Sequence, residues 1–286
     1  MITTFLESWD LFYLTYLTGW AIAAGLGLAG IIVVARDQIF LGAAVSQAAA
    51  FGVAAALLLK VSLGSDQYDI GFFDPVMLVI VLGCAAGAAL LTSYGSGASG
   101  EESYESVTGW VFLGATSVSV LMAQHLIHGT EEIQKMLMST LIGSTYTELL
   151  LFLALDLIIV LLFVLLYRPL LLFLLDEPTF AAVGGRTALW RPLVAIGLGL
   201  LIGLAIRSSG MLFTFGCLVL PAMIAKNILN RVLYLFFFAP LLAVVFAGAG
   251  FMSANHYDFP PGQMVVALLA AGFAVSWVGR RIMEAR

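Results

Sequence analysis

The sequence predicts an all-α membrane protein, a polytopic bundle of about nine transmembrane helices. Three observations lead there. Of its 286 residues, 62% are hydrophobic and only 10% charged, with a mean hydropathy of +1.07. A soluble chain carries about 45–50% apolar and about 25% charged residues, so this composition cannot cover a water-facing exterior. The apolar runs are continuous and span-length rather than short and alternating, which points to helices and not to a closed barrel. The charges fall almost wholly between these runs.

Cut at charges, prolines and glycines, the candidate spans lie at about 13–34, 41–61, 75–93, 107–128, 148–170, 191–206, 209–227, 232–254 and 261–279. The opening MITTFLESWD is acidic and lacks the basic flank of a cleavable signal, so the first run reads as a retained span. The sixth run is short for a bilayer of about 30 Å and is interrupted by Gly197, Gly199 and Gly203. It reads either as a crossing or as a broken, re-entrant element, so the count is nine or eight.

With the N-terminus outside and the C-terminus cytoplasmic, nine of the Lys and Arg residues fall inside and only Lys60, Lys135 and Arg207 outside. Nine acids then line the outer side, among them Glu7, Asp66, Glu131 and Glu132. An acidic outer mouth either concentrates cations through its field or simply keeps the loops soluble. Cys84 and Cys217 sit inside apolar runs, which argues against a disulfide framework. No Gly-rich loop ending in Gly-Lys-Ser/Thr occurs, so this chain binds no nucleotide through a P-loop.

Between spans five and six lies LLDEPTFAAVGGRTALW, residues 174–190. Asp176 can cap a short helix with Glu177 and Pro178 in its first turn, and Gly184–Gly185 can end it. Such an isolated inner helix suits docking, or a loop lying at the interface. The stretch 93–106 reads as a flexible, polar, acidic loop.

Inside the spans, a few polar residues stand out. Ser46 and Gln47 lie two turns into span two, where they either pack and hydrogen-bond between helices or line a translocation path. Asp156 is the one ionisable group well inside a span, and it shares a helix face with Glu148 and Phe152. A carboxylate there costs about 2.5–3.5 kcal/mol, so it needs a hydrogen-bonding partner, water or a transported ion. His125 and His128, at i and i+3, share a face near the outer end of span four. They read as half of a metal site, with His256 and Asp258 as further donors, or as polar capping. Pro221 leaves the Cys217 carbonyl without its helical donor, and the Cys217 thiol is a soft ligand or a small buried apolar group. The patterns Gly83–Gly87 and Gly199–Gly203 permit close helix approach.

Three segments in order carry a resemblance. FLGAAVSQAAAFGVAAALLL is similar to a span opening Leu-Gly-Asp-Ala-Leu-Ser-His-Ala-Ala-Leu-Pro-Gly-Val. GMLFTFGCLVLPAMIAKNIL resembles Val-Gly-x-Leu-Leu followed by Leu-x-x-Pro-Ala-x-x-Ala. DEPTFAAVGGR resembles an Asp-x-x-x-Ala-x-x-x-Gly inner loop. Together they resemble the ABC-type metal permeases, the membrane subunits of zinc, manganese and iron importers. In this chain Gln47 replaces the usual His and Phe51 the usual Pro.

The resemblance implies one transmembrane permease domain over 1–286, in the plasma membrane of a prokaryote, without catalytic residues of its own. It implies a second permease copy, most simply in a homodimer, an ATP-binding ABC subunit and an extracytoplasmic solute-binding protein. No nucleic acid is implied. Residues 174–190 would be the coupling segment, carried by Asp176, Glu177, Pro178, Ala182 and Gly184. ATP would bind the partner, and the divalent metal would be cargo rather than a resident cofactor. The expected path runs by Ser46, Gln47, Asp156, Cys217 and Pro221, with His125, His128, Glu148 and Asp156 as candidate metal ligands. Gln47 and Phe51 motivate the alternative of an ABC permease for a non-metal solute or metal chelate. An intramembrane enzyme using Asp156 with His125 or His128 finds no supporting motif.

Overall fold

The computed structural model describes residues 5, 7–62, 74–94, 103–125, 141, 143–229 and 231–284. Among them are nine helices long and apolar enough to cross a membrane. They are α1 (Trp9–Ala35), α2 (Leu41–Ser62), α3 (Pro75–Tyr94), α4 (Tyr104–Ala123), α5 (Tyr146–Leu175), α7 (Thr187–Ser209), α8 (Met211–Ile228), α9 (Val232–Tyr257) and α10 (Pro261–Glu284), with the short α6 (Glu177–Ala182) between α5 and α7. The described residues contain no strand. The Gly-interrupted run is therefore the middle of α7, a continuous helix of 23 residues, and the count among the described residues is nine.

The chain forms two compact units. The first comprises Met1–Asp37, Thr140–Thr179 and Leu212–Arg286, and the second Gln38–Ser139 and Phe180–Met211. The chain passes from one to the other inside α6, at Thr179–Phe180.

In the first unit α1 is the buried axis, with 72% of its most apolar stretch covered, against 11% for α5 and α10. Its glycines let neighbours come close. A Cβ at Gly30 would fall on the Leu218 carbonyl of α8, and one at Gly25 on the Asp156 carboxylate of α5. At Gly30, against backbone, only hydrogen fits, whereas at Gly25 a methyl group would make the Asp156 side chain move. Near the start of α1, Tyr16 packs on Phe5 and on Phe251 of α9, and Asn255 donates to Ser8 Oγ at 2.8 Å. The helix α5 departs from helical angles at Leu166, three residues before Pro169, where the proline ring crowds the preceding turn.

In the second unit α2 is the axis, 78% buried over its most apolar stretch. It reaches α4 through Ala50, Ala54 and Ala123 and α3 through Gly52 beside the Val81 backbone. The helix α7 lies on α3 with Gly199 and Gly203 against Ala85 and Leu82. Small residues here make a seam between two intact helices rather than a break. Gly83 and Gly87 have open space beside them and take no part in that seam. Lys60, at the end of α2, pairs with Asp74, whose other oxygen accepts from the Val76 and Met77 amides at 3.1 Å. That ion pair ties α2 to α3 and holds the Asp74 carboxyl below its usual range, chiefly through the Lys60 hydrogen bond.

Candidate functional site

Three features meet α1 in order along its length. At Gly25 it faces Asp156, whose Oδ1 is buried with no hydrogen-bond partner among the described residues. Five residues on, about 7.5 Å along the helix, Gly30 meets α8 at Leu218, between Cys217 and Pro221. Cys217 is fully buried and Pro221 interrupts the hydrogen-bond ladder of α8 there. Just past the end of α1, Arg36 Nη2 donates to Glu177 Oε2 of α6 at 3.1 Å, while its guanidinium lies 4.7 Å from the Phe173 ring centroid. The side chains of Arg36 and Glu177 are only 11% and 19% exposed, so breaking the pair by removing one partner leaves a poorly hydrated charge.

The helix α6 is built from its own sequence. Asp176 accepts from the Thr179 amide at 3.0 Å and from the Thr179 hydroxyl, which caps the first turn and keeps the Asp176 carboxyl below its usual range. Pro178 sits in the first turn, where no amide donor is needed. After Ala182 the helix closes in a Schellman arrangement. Gly184 has φ +88° and donates to Ala181 O, and Gly185 donates to Phe180 O at 2.9 Å. Phe180 then packs edge-on against Trp190, with centroids 5.7 Å apart.

In the second unit, Ser46 donates to the Gly42 carbonyl of its own helix at 2.5 Å. Gln47 is 8% exposed, and its Nε2 donates to Met211 Sδ at 3.6 Å. Ala43 stands at the acid of the quoted pattern as Gln47 stands at its histidine, so this turn of α2 presents neither carboxylate nor imidazole.

The remaining candidates are dispersed. Thr145 caps α5, its hydroxyl accepting from the Glu148 amide and donating to Glu148 Oε1, both at 3.3 Å. His125 is exposed just beyond α4, its Nδ1 3.0 Å from the Leu121 carbonyl. His128, Glu131 and Glu132 lie outside the described residues. His256 and Asp258 belong to the first unit and His125 to the second. Among the described residues no three His, Cys, Asp or Glu side chains come together as a metal site. Arg36, Gly25, Gly30 and Met211 were not singled out in the sequence. A lone cation closing the first span and glycines at positions 25, 27 and 30 were the available signals.

Nine membrane-length helices among the described residues define a multi-pass membrane protein. The profile of the ABC 3 transport family matches residues 9–280, and the chain belongs to that family. It is 24% identical over 259 residues to the manganese transport system membrane protein MntC of Halalkalibacterium halodurans, covering 90% of this chain and 84% of that one. It is 22% identical to the manganese transport system membrane protein MntB of Synechocystis, covering 84% and 73% of the two chains. The fold matches PsaBC from Streptococcus pneumoniae, solved in complex with a Fab, with a TM-score of 0.78 at 19% identity over 97% of this chain and 95% of the other. The protein is therefore a membrane-embedded permease of a prokaryotic plasma membrane, of a family whose members matched here are permease subunits rather than enzymes.

Proposed function

We propose that this chain is the permease subunit of an importer for a divalent transition metal, manganese, zinc or iron, working by alternating access. A separate ABC subunit binds and hydrolyses ATP, a binding protein delivers the ion from outside, and a second copy of the chain completes the transmembrane assembly. Kinship with two manganese-system membrane proteins supports the cargo class.

The observation that carries the path is Asp156. A carboxylate at mid-span whose buried oxygen has no partner among the described residues is costly unless an ion, a proton or water visits it. With Ala43 and Gln47 on α2, Asp156 is the anionic stop for a cation moving past Cys217 and the Pro221 kink. The open carbonyl at Cys217 and the thiol beside it supply further donors.

The segment 174–190 is the coupling element, with α6 as its docking surface. One half of α6 is tied to the end of α1 through Glu177 and Arg36, and the other half to the start of α7 through Phe180 and Trp190. A push on α6 therefore reaches the end of α1, and so the helix that faces both Asp156 and the Pro221 kink.

A second reading keeps this machinery and changes the cargo to a metal chelate. It rests on Gln47, whose amide is already engaged by Met211, and on the absence of a clustered ligand set among the described residues. The test is ATPase activity of the reconstituted complex with its binding protein. Stimulation by free manganese, zinc or iron supports the ion, and stimulation only by a chelated metal supports the second reading.

A further inference from the structure

The first unit holds a cavity of about 330 Å³ where α1, α5, α8 and α10 end and α9 begins. Its walls are apolar, with Ile31, Val34, Ala222 and Leu235 among them, and two cations complete the lining, Lys226 and Arg280. Both cations are exposed, so the charged side of the cavity is the open side. Arg280 Nη1 donates to the Lys226 carbonyl oxygen at 3.5 Å, and both residues line the same cavity. Arg280 Nε also donates to Glu284 Oε1 at 2.8 Å, an exposed pair on one helix that weakens its charge only slightly. Of the carboxylates next to the lining in sequence, Glu177 is paired with Arg36, while Asp176 caps α6 and Asp37 is exposed, both still charged.

Two aromatic side chains fix the depth of this mouth. Trp277 and Tyr234 are half-exposed within two turns of Arg280 and Arg231, and the Arg281 guanidinium lies 5.4 Å from the Trp277 ring centroid. Amphipathic rings beside basic residues mark the headgroup level of a bilayer. We infer that this cavity binds the phosphodiester headgroup of an anionic glycerophospholipid, with Lys226 and Arg280 on the phosphate and the apolar walls around the glycerol backbone. The volume equals that of roughly ten water molecules, room for a headgroup and its first carbons with the acyl chains left in the bilayer. A soluble phosphate would satisfy the cations but leave the apolar walls wet, which is why the lipid is the better occupant. The site requires neither the metal cargo nor the coupling role of α6.

The test uses the full chain in detergent, with native mass spectrometry and thermal melting as readouts. Dioleoyl phosphatidylglycerol should bind and raise the melting temperature, and dioleoyl phosphatidylcholine should not. The Lys226→Gln/Arg280→Gln double variant should bind phosphatidylglycerol about 30-fold more weakly, the factor two basic residues supply at an anionic surface. Lys226→Arg/Arg280→Lys should retain binding, and Arg231→Gln should bind like the wild type. Equal binding of both lipids, or binding insensitive to the double variant when the conservative variant folds alike, would overturn the site. Saturation by inorganic phosphate at the same concentration as phosphatidylglycerol would make it a free-anion site, and displacement of lipid on assembly with the ATPase would make it a protein-docking site. Either result contradicts the proposal.

Discussion

The two units are built alike around one buried helix and differ in what they bury beside it. Around α2 in the second unit the polar groups are satisfied locally, Ser46 by its own helix and Gln47 by Met211. Around α1 in the first unit a carboxylate has an oxygen with no partner among the described residues, against Gly25, and just past the same helix comes a largely buried ion pair with α6. A polar group that is satisfied holds a fold together, whereas one left unsatisfied in lipid is a place where something else must bind. On the proposed path, packing falls mainly to α2 and passage of cargo mainly to α1.

The contrast can be broken most severely at the α1–α8 crossing. Gly30→Ala should cost about 3 kcal/mol or more, because the new methyl group meets backbone that cannot turn away. Gly83→Ala, in open space, should leave the melting temperature within a degree or two, and thermal melts of both variants decide it. Next in size, Asp156→Asn keeps the shape and removes the charge. Uptake should fall at least tenfold while assembly and melting are kept. Arg36→Gln should lower metal transported per ATP about fivefold without changing the ATPase of the isolated partner subunit. The exchange Arg36→Glu with Glu177→Arg should recover part of that loss.

Smaller effects are expected in the second unit. Gln47→Ala removes one weak hydrogen bond to sulfur, so uptake should stay within about twofold of wild type. A tenfold loss would move the path to α2. The Lys60–Asp74 pair, about as buried as Arg36–Glu177, gives a change of about 1 kcal/mol. Because the Asp74 carboxyl is held below its usual range, its contribution is present above that range and vanishes as pH falls through it. The melting-temperature gap between wild type and Asp74→Asn should therefore be open at pH 5–8 and closed in strong acid.

Much of this was legible in the sequence. Span number follows from apolar run length, and the bounds of α6 follow from Asp176 and Gly184–Gly185, since caps act within a few residues. The course of α7 was harder to read. Gly199 and Gly203 look alike as a break and as a seam until α3 is seen to lie against them. Asp156 could be picked out by its charge, but not the glycine facing it, because Gly25 is more than a hundred residues away in the chain. The Arg36–Glu177 pair was hidden for the same reason. Glu148 drew attention as an acid near Asp156, yet its carboxyl group serves the start of α5.

The most direct measurement is ATP-dependent accumulation of radioactive manganese in liposomes carrying the chain with its ATPase and binding protein. Manganese should accumulate against a gradient with wild type, be displaced by excess zinc or iron, and fail to accumulate with Asp156→Asn. A complex that assembles and hydrolyses ATP but accumulates none of the three metals, free or chelated, would contradict the metal-import reading.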